Sequence, residues 1–337
     1  MWRHPAARCW RMAHSRDCQT MSSDSEPVEI AVLDDYQGVA LEMADWSVLN
    51  GRARITVFRD HLADDRALVE RLRPFDVLCV MRERTPLPRA VIESLPRLKM
   101  IASTGPRNRS INADAADERG IIVTSTGYFS EPTVELTWAL IHASIRDVAA
   151  ESSSVRAGGW QRSVGADLAG QVLGVLGLGN IGSRVAAVGT AFGMKVIAWS
   201  ENLTRDRAES AGAELVSKEE LFRRSDVLTV HLILSKRTKG LVGADELALM
   251  KPDARLVNTS RGPIVDEQAL IECLSKRRIA GAALDVFDVE PLPAGHPFRT
   301  LDNVVATPHV GYVTRNLYRT FYGDTVANIA KWLDSRS

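Results

Sequence analysis

The chain has 337 residues, 45% hydrophobic and 25% charged, a composition that predicts a globular protein of about two domains. Lys+Arg and Asp+Glu number 42 each, so no excess of charge indicates binding to nucleic acid or to an anionic membrane. A long uncharged run at residues 168–183 is rich in glycine and shorter than the roughly 18 apolar residues of a membrane-spanning helix. We therefore expect a soluble, cytoplasmic protein with no nucleic-acid or membrane partner.

The first twenty residues differ from the rest of the chain. They contain four arginines, one acidic residue and no apolar run, which argues against a secretory signal. Residues 1–25 are predicted to be a disordered extension, or translation begins at Met21; a transit peptide is the alternative. No two cysteines have CxxC spacing, which favours reduced thiols over disulfides or a zinc site; they are Cys9, Cys18, Cys79 and Cys273.

From Val28 onwards, short β-branched runs alternate with segments of helical periodicity. Strands are predicted at VEIAVLDD, ITVF, DVLCVM, KMIAST and IIVTST, and helices at VALEMADW, DDRALVERL and PRAVIESL. This alternation is typical of βαβ units with a parallel sheet.

A long helical pattern from Glu131 to about Val155 is predicted to cross into a second domain. A second βαβ series starts at Val172, with strands at VLGVLGLG, KVIAWS, DVLTVHLI, ARLVNTS, AGAALDVF and NVVATPH. A last helix, at about residues 313–333, is predicted to return to the first domain. The predicted fold is α/β, with two doubly wound parallel-sheet domains, the second inserted in the first, and a cleft between them.

Residues 177–182 read GLGNIG, directly after a predicted strand and at the start of a helix. In such a GxGxxG turn the first glycine allows the tight turn, the second lets a pyrophosphate approach the backbone, and the third allows close packing of helix and strand. The expected cofactor contacts are Gly177, Gly179, Asn180, Ile181 and Gly182. This predicts a Rossmann-like dinucleotide-binding domain; a glycine-rich turn without a ligand is the alternative.

The next predicted strand ends at Ser200 and Glu201, near the expected position of the adenosine ribose. An acid there binds the ribose hydroxyl and repels a 2′-phosphate, which favours NAD. Arg205 nearby keeps NADP open as an alternative. The predicted domains are a substrate domain at residues 26–128 and 312–337, and an NAD-binding domain at residues 129–311.

Three later strands end in residues that can carry chemistry. Arg261 follows LVNTS, Asp285 and Glu290 lie at and after the end of AALDVF, and His309 follows VVAT. Ligands of a doubly wound sheet bind beyond the carboxyl ends of its strands, so we expect these side chains to converge. An arginine can hold a carboxylate, a histidine can protonate a ketone oxygen, and a glutamate can favour the protonated imidazole. The structural alternatives are a salt-bridged arginine, a strand-end cap, a loop acid and a core histidine.

These motifs make the chain resemble the D-isomer-specific 2-hydroxyacid dehydrogenases (the formate/glycerate dehydrogenase group). The resemblance covers nearly the whole chain and rests on GLGNIG at 177–182, VNTSRGPIVDEQAL at 257–270, GAALDVFDVEPLP at 281–293 and TPHVG at 307–311. Two departures are Ser200, where the family usually has aspartate, and His231-Leu232-Ile233, where many members have His-x-Pro.

The resemblance implies roles for individual residues. Arg261, Glu290 and His309 take the catalytic positions, and Asp285 is expected to bind the nicotinamide carboxamide, with Thr259 as a further cofactor contact. The substrate carboxylate is expected at backbone N–H groups of a loop that contains Thr104, Gly105 and Pro106. Tyr312 either lines the substrate pocket or packs at the hinge. No metal is expected, and His231 is interpreted as structural.

The implied function is hydride transfer between nicotinamide and C2 of a small 2-hydroxy or 2-keto acid, with D stereospecificity, as in a hydroxypyruvate or glyoxylate reductase. One alternative is an NADH-sensing binding protein similar to a transcriptional corepressor. The other is an enzyme similar to phosphoglycerate dehydrogenase, with formate and phosphite dehydrogenases as further relatives. Members of the family are commonly homodimers, and the helical segment from Glu131 to Val155 is expected to contribute to the dimer interface.

Overall fold

A computed structural model of the chain describes residues 26–336. The predicted extension at residues 1–25 lies outside the described residues, as do Cys9 and Cys18. Within the described part, Cys79 and Cys273 are buried free thiols.

The first domain contains a five-stranded sheet in which every paired strand is parallel, in the order β2-β1-β3-β4-β5. The strands are β1 (Val28–Val32), β2 (Ala53–Val57), β3 (Val77–Val80), β4 (Met100–Ser103) and β5 (Ile122–Thr124). The helices are α1 (Asp65–Leu72), α2 (Arg89–Glu93), α3 (Ala113–Glu118) and, from the end of the chain, α11 (Arg315–Asp334).

Helices cover both faces of this sheet, which explains why its strands read as continuous apolar runs. Ile30 and Val32 pack on the face covered by α11, in a cluster with Phe321. Ala31 and Leu33 point to the other face, where α1, α2 and α3 supply the partners. The C-terminal helix is therefore part of the core of the first domain.

The second domain contains a seven-stranded parallel sheet in the order β12-β11-β10-β9-β6-β7-β8. Its strands are β6 (Val172–Leu176), β7 (Lys195–Trp199), β8 (Glu214–Leu215), β9 (Val227–Val230), β10 (Arg255–Asn258), β11 (Gly281–Leu284) and β12 (Val304–Ala306). Its helices are α4 (Glu131–Ile145), α5 (Val148–Arg156), α6 (Asn180–Ala191), α7 (Arg205–Ser210), α8 (Lys218–Arg224), α9 (Ala244–Leu249) and α10 (Glu267–Ser275). Two parallel-sheet α/β domains, one inserted in the other, confirm the predicted fold class.

The structure corrects the long helix predicted from Glu131 to Val155. Helix α4 ends at Ile145, and α5 starts after Asp147, which has φ +49. Groups from outside the helix bind the last carbonyls of α4: Arg255 Nε donates to Ser144 O at 2.9 Å, and Ala166 N donates to Ile145 O at 3.2 Å. The helix ends because these carbonyls already have partners.

The helix predicted at VALEMADW is also wrong. That segment forms two short 3₁₀ helices, Ala40–Glu42 and Trp46–Leu49. The Asp45 side chain accepts from Ser47 N at 3.0 Å and starts the second of them. A short polar side chain that binds nearby backbone competes with a continuous helix. Strand β8 was not predicted. Two further 3₁₀ helices, Gly262–Ile264 and Pro297–Arg299, follow β10 and precede β12.

Candidate active site

The glycine loop follows β6, where the strand order of the second sheet reverses. Gly177 has φ +103, and a Cβ there would lie 2.9 Å from the carbonyl of His231. A Cβ at Gly182 would lie 2.1 Å from the carbonyl oxygen of Gly177, so α6 can pack on the loop only with glycine at this position. Nothing lies within 4 Å of the Cβ position of Gly179. The loop therefore combines a tight turn, close helix packing and an open backbone, as a dinucleotide site requires.

A cavity of about 570 Å³ opens beside this loop at the N-terminus of α6. Its lining includes Gly179, Asn180, Ser183, Arg184 and Arg207. The end of β7 borders the loop because Gly177 N donates to Trp199 O at 2.9 Å. Ser200, which is partly buried, and Glu201, which is exposed, follow directly. The positions predicted from the sequence for the phosphates and the ribose are thus neighbours at one edge of the sheet.

The three predicted catalytic residues follow three adjacent strands. The register of β10, β11 and β12 aligns Asn258 with Leu284 and Leu284 with Ala306, so the segments after these strands leave the sheet at the same edge. Arg261, Glu290 and His309 all line one cavity of about 360 Å³. The structure brings them together with residues of the first domain.

Glu290 and His309 form a close pair. His309 Nδ1 lies 2.6 Å from Glu290 Oε2, and Glu290 Oε1 accepts from Phe287 N at 2.9 Å. A carboxylate at Nδ1 places the hydrogen on that nitrogen and leaves Nε2 for other partners. His309 has φ +52, an uncommon conformation for a residue other than glycine. The His309 ring packs edge-on against Tyr312 at 5.4 Å between centroids.

Arg261 reaches across the cleft to a residue that the sequence did not single out. Its NH2 nitrogen lies 3.2 Å from both carboxylate oxygens of Glu83, and its NH1 donates to Ser260 O at 2.7 Å. Burial disfavours the charge of Glu83, but the guanidinium groups of Arg261 and Arg82 outweigh it and hold the pKa of Glu83 below its usual value. Arg261 is thus already paired with one carboxylate.

Asp285 holds the backbone of the histidine loop. It is buried, and its carboxylate accepts from Thr307 Oγ1 at 2.6 Å and from the N–H groups of Val310 and Gly311 at 2.8 Å each. Burial raises the pKa of Asp285, and these donors oppose the rise. The residue therefore positions the segment that carries His309, and its contact with a carboxamide stays a prediction. Thr259 is also buried, with its Oγ1 2.8 Å from that of Thr137.

The loop expected to bind the substrate carboxylate has two amides with partners inside the protein. Thr104 N donates to Val80 O at 3.1 Å, Gly105 N donates to Thr126 Oγ1 at 2.7 Å, and Pro106 has no N–H. None of Thr104, Gly105 and Pro106 lines the 360 Å³ cavity. The amides of Thr104 and Gly105 thus have partners within the protein, and the role of this loop in binding the substrate carboxylate stays a prediction.

Residues after β3 and β2 line the 360 Å³ cavity. The cavity is lined from the first domain by His61, Leu62, Ala63, Asp65, Leu68, Arg82, Glu83, Arg84 and Pro86. The Arg-Glu-Arg run at 82–84 could have been predicted from the sequence, because it follows a fully buried strand and ligands bind beyond the carboxyl ends of such strands. Tyr312 lines the same cavity, with its ring 5.4 Å from the Arg84 guanidinium.

A further cavity, of about 770 Å³, shares Glu290, His309, Phe287 and Arg84 with the 360 Å³ cavity.

His231, interpreted as structural, lines neither of these two cavities. Its Nε2 is buried without a hydrogen-bond partner, and burial lowers the pKa of its imidazole to about 4.

Among residues 26–336, no group of three or more His, Cys, Asp or Glu side chains is arranged to hold a metal ion. No helix in that part of the chain is long and apolar enough to cross a membrane.

Comparisons with known proteins agree with this geometry. Residues 138–311 match the family model described as D-isomer specific 2-hydroxyacid dehydrogenase, NAD binding domain. The chain is 44% identical to a glyoxylate reductase of Aeropyrum pernix over 235 residues, 67% of this chain and 70% of that one. It is 36% identical to a hydroxypyruvate reductase of Thermotoga maritima over 292 residues, 85% of this chain and 94% of that one.

A solved structure shares the fold over most of both chains. It is a phosphoglycerate oxidoreductase from Vibrio cholerae, with a TM-score of 0.87, 36% identity, and coverage of 91% of this chain and 99% of that one. The chain belongs to the D-isomer specific 2-hydroxyacid dehydrogenase family and is an NAD-dependent oxidoreductase that acts on the CH–OH group of 2-hydroxy acids.

Proposed function

We propose that this enzyme reduces a small 2-keto acid of the hydroxypyruvate or glyoxylate type to the D-2-hydroxy acid, in the 360 Å³ cavity between its domains. The observation that carries the proposal is the 2.6 Å contact between His309 and Glu290, in a cavity that Arg261 also lines. The relatives named glyoxylate reductase and hydroxypyruvate reductase support the substrate class.

His309 is the proton donor in this proposal. Because Glu290 binds Nδ1, Nε2 is the ring nitrogen that can reach a ketone oxygen. NAD(H), when bound, supplies the hydride for reduction and accepts it in the reverse direction. His309 donates its Nε2 proton to the ketone oxygen during reduction and takes it back during oxidation. The charge of Glu290 stabilises the imidazolium form that donates.

Arg261 is the carboxylate anchor and polarises the ketone oxygen. Its guanidinium can hold a carboxylate with two hydrogen bonds. Glu83 occupies this position across the cleft, so a substrate carboxylate must replace Glu83 or share the guanidinium with it. Closure of the two domains over the substrate would exclude water from these groups.

The residues of the glycine loop fit the cofactor. The open backbone at Gly179 and the N-terminus of α6 would hold the pyrophosphate, and Glu201 would bind the adenosine ribose hydroxyls. Asp285 and Thr259 lie at the ends of β11 and β10, where they would border the nicotinamide.

The assembly proposed for this enzyme is a homodimer in the cytoplasm. Apolar side chains are exposed on α5 and the segment after it: Val148, Val155, Trp160 and Val164. Several exposed large apolar side chains on one short stretch of chain support an interface there. Sedimentation at micromolar concentration would show twice the mass of the chain, and a monomer would contradict the proposal. The buried free thiols of Cys79 and Cys273 suit a reducing compartment.

The test is NADH and NADPH oxidation, followed by absorbance, with glyoxylate, hydroxypyruvate, pyruvate, 2-ketoisocaproate and phenylpyruvate. We expect turnover of glyoxylate and hydroxypyruvate with NADH. The reverse reaction should use D-glycerate and not L-glycerate. An absence of turnover with all five acids, while NADH binding is still visible by fluorescence, would contradict the proposal. It would favour an NADH-sensing binding protein.

A further inference from the structure

A second carboxylate–imidazole pair faces the same cavity from the first domain. His61 Nδ1 lies 3.2 Å from Asp34 Oδ1, and His61 lines the cavity together with Arg261, Glu290 and His309. Asp34 follows β1 and His61 follows β2, so the pair lies at the carboxyl edge of the first sheet. None of the roles assigned above uses this pair.

Several contacts fix the position of Asp34. The residue has φ +57 and its side chain is almost completely buried. Its Oδ2 accepts from Thr85 Oγ1 at 2.6 Å, and its backbone oxygen accepts from Arg84 NH1 at 2.7 Å. A left-handed conformation at a residue other than glycine persists only where its surroundings hold it, and such strain is concentrated at functional sites.

This arrangement decides which atom of His61 is available. Asp34 binds Nδ1, so Nε2 is the ring nitrogen left for other partners. Among residues 26–336, no group forms a hydrogen bond with Nε2, and this atom is not among the buried atoms without a partner. A fixed ring with one accessible nitrogen therefore lines the substrate cavity.

The arginines around the cavity already have partners in the protein. Arg84 donates to Asp34 O and to Tyr318 Oη at 3.3 Å, and the ring of Tyr36 covers its guanidinium at 4.7 Å. Arg82 NH1 donates to Thr104 O at 3.3 Å, and its NH2 lies 3.7 Å from Glu83.

Asp65 and Glu83 also line the cavity, and Glu83 is paired with Arg261. Among the described residues of this lining, Nε2 of His61 is thus a polar atom without a protein partner. A hydroxyl group of the substrate can bind it, since a hydroxyl group both donates and accepts hydrogen bonds.

We infer that His61, oriented by Asp34, forms a hydrogen bond with a hydroxyl group at C3 of the substrate. The enzyme then prefers a 3-hydroxy-2-keto acid, hydroxypyruvate, to its analogue without the hydroxyl, pyruvate. This inference rests on the proposed reduction of small 2-keto acids. A site built to bind a hydroxyl group discriminates against an analogue that lacks it, because a buried polar group is then left unpaired.

The experiment compares kcat/KM for hydroxypyruvate and for pyruvate, with NADH, in the wild type and in H61N and H61Q. Asparagine can still donate to Asp34 from a position near Nδ1, but it has no atom at the position of Nε2. We expect H61N to lose about tenfold in kcat/KM for hydroxypyruvate and to change less than twofold for pyruvate. Glutamine reaches further and should recover part of the loss.

A matched control is H296N. His296 Nε2 lies 3.1 Å from Glu267 Oε1, so this is another histidine paired with a carboxylate, but it lines neither cavity. H296N should leave the ratio of the two substrates unchanged. NADH affinity by fluorescence and the melting temperature report whether each variant is folded.

The possible failures are distinguishable. A wild type that reduces both acids with an unchanged ratio in H61N overturns the inference and leaves the proposed function standing. An equal loss for both acids in H61N assigns His61 a structural role and also overturns it. A wild type that reduces none of the five acids overturns the proposed function together with the inference.

Discussion

The cleft contains two carboxylate–imidazole pairs, one from each domain, which differ in exposure and in geometry. Glu290 and His309 are 31% and 22% exposed and 2.6 Å apart, whereas Asp34 and His61 are 1% and 10% exposed and 3.2 Å apart. A proton donor must exchange its proton with water between turnovers, which the more open pair allows. The buried pair suits a fixed hydrogen-bonding surface, because its carboxylate also binds Thr85.

The two pairs also place the uncommon backbone conformation on different partners. His309 itself has φ +52, whereas in the other pair the carboxylate residue, Asp34, has φ +57. In the first pair the strained residue is the proposed acid, and Asp285 holds its loop. In the second pair the residue with the uncommon conformation is Asp34, which orients His61. The difference suits the proposed roles, a reacting imidazole in the second domain and a substrate-recognising imidazole in the first.

The strongest way to separate the pairs is H309Q. Glutamine cannot supply the proton, and general acid catalysis contributes roughly 10²–10⁴-fold, so kcat for hydroxypyruvate should fall about 10³-fold. NADH binding, followed by fluorescence, should remain. H61N, in contrast, should change only the ratio of substrates. Turnover within tenfold of the wild type in H309Q would remove His309 from the proton-transfer step.

A smaller effect is expected for E290Q. The amide oxygen can still accept from His309 Nδ1, but it carries no charge to balance the imidazolium form. Hydrogen bonds to charged groups are about twice as strong as neutral ones, so kcat should fall about tenfold. The loss should be the same for hydroxypyruvate and pyruvate, measured as initial rates at saturating NADH. A loss confined to hydroxypyruvate would assign Glu290 to recognition and erase the contrast with Asp34.

The last prediction concerns stability rather than turnover, at His231, a buried imidazole with no carboxylate partner. The pKa of the His231 imidazole in the folded protein, about 4, lies below its ordinary value of about 6.5. Between these two values the imidazole is protonated in the unfolded chain and neutral in the folded protein. Stability is therefore lost as the pH falls from about 6.5 towards 4, by about 2 kcal/mol at pH 5. In H231Q this part of the pH dependence should disappear. Urea unfolding of both proteins at pH 7.5 and pH 5 measures it, and an identical pH dependence would contradict the assignment.

The strands, the glycine loop and the convergence of Arg261, Glu290 and His309 could be predicted because each depends on a local pattern. Apolar runs fully covered on both sides mark parallel strands, and a strand end marks the ligand edge of the sheet. The interruption after Ile145 could not be predicted, since it depends on Arg255, more than a hundred residues away. The partners of the Thr104 and Gly105 amides could not be predicted for the same reason, because Val80 and Thr126 lie on other segments of the chain.

By itself, the sequence determined the class of fold, the dinucleotide motif and the three strand-end residues of the second domain, because periodicity and turn chemistry are properties of neighbouring residues. Only the tertiary structure decided what the first domain places opposite them. Glu83 binds Arg261 across 178 positions of the chain, and Asp34 and His61 meet because β1 and β2 are adjacent parallel strands. The first contact follows from how the two sheets pack around the cleft and the second from the strand order within one sheet, and no local pattern encodes either.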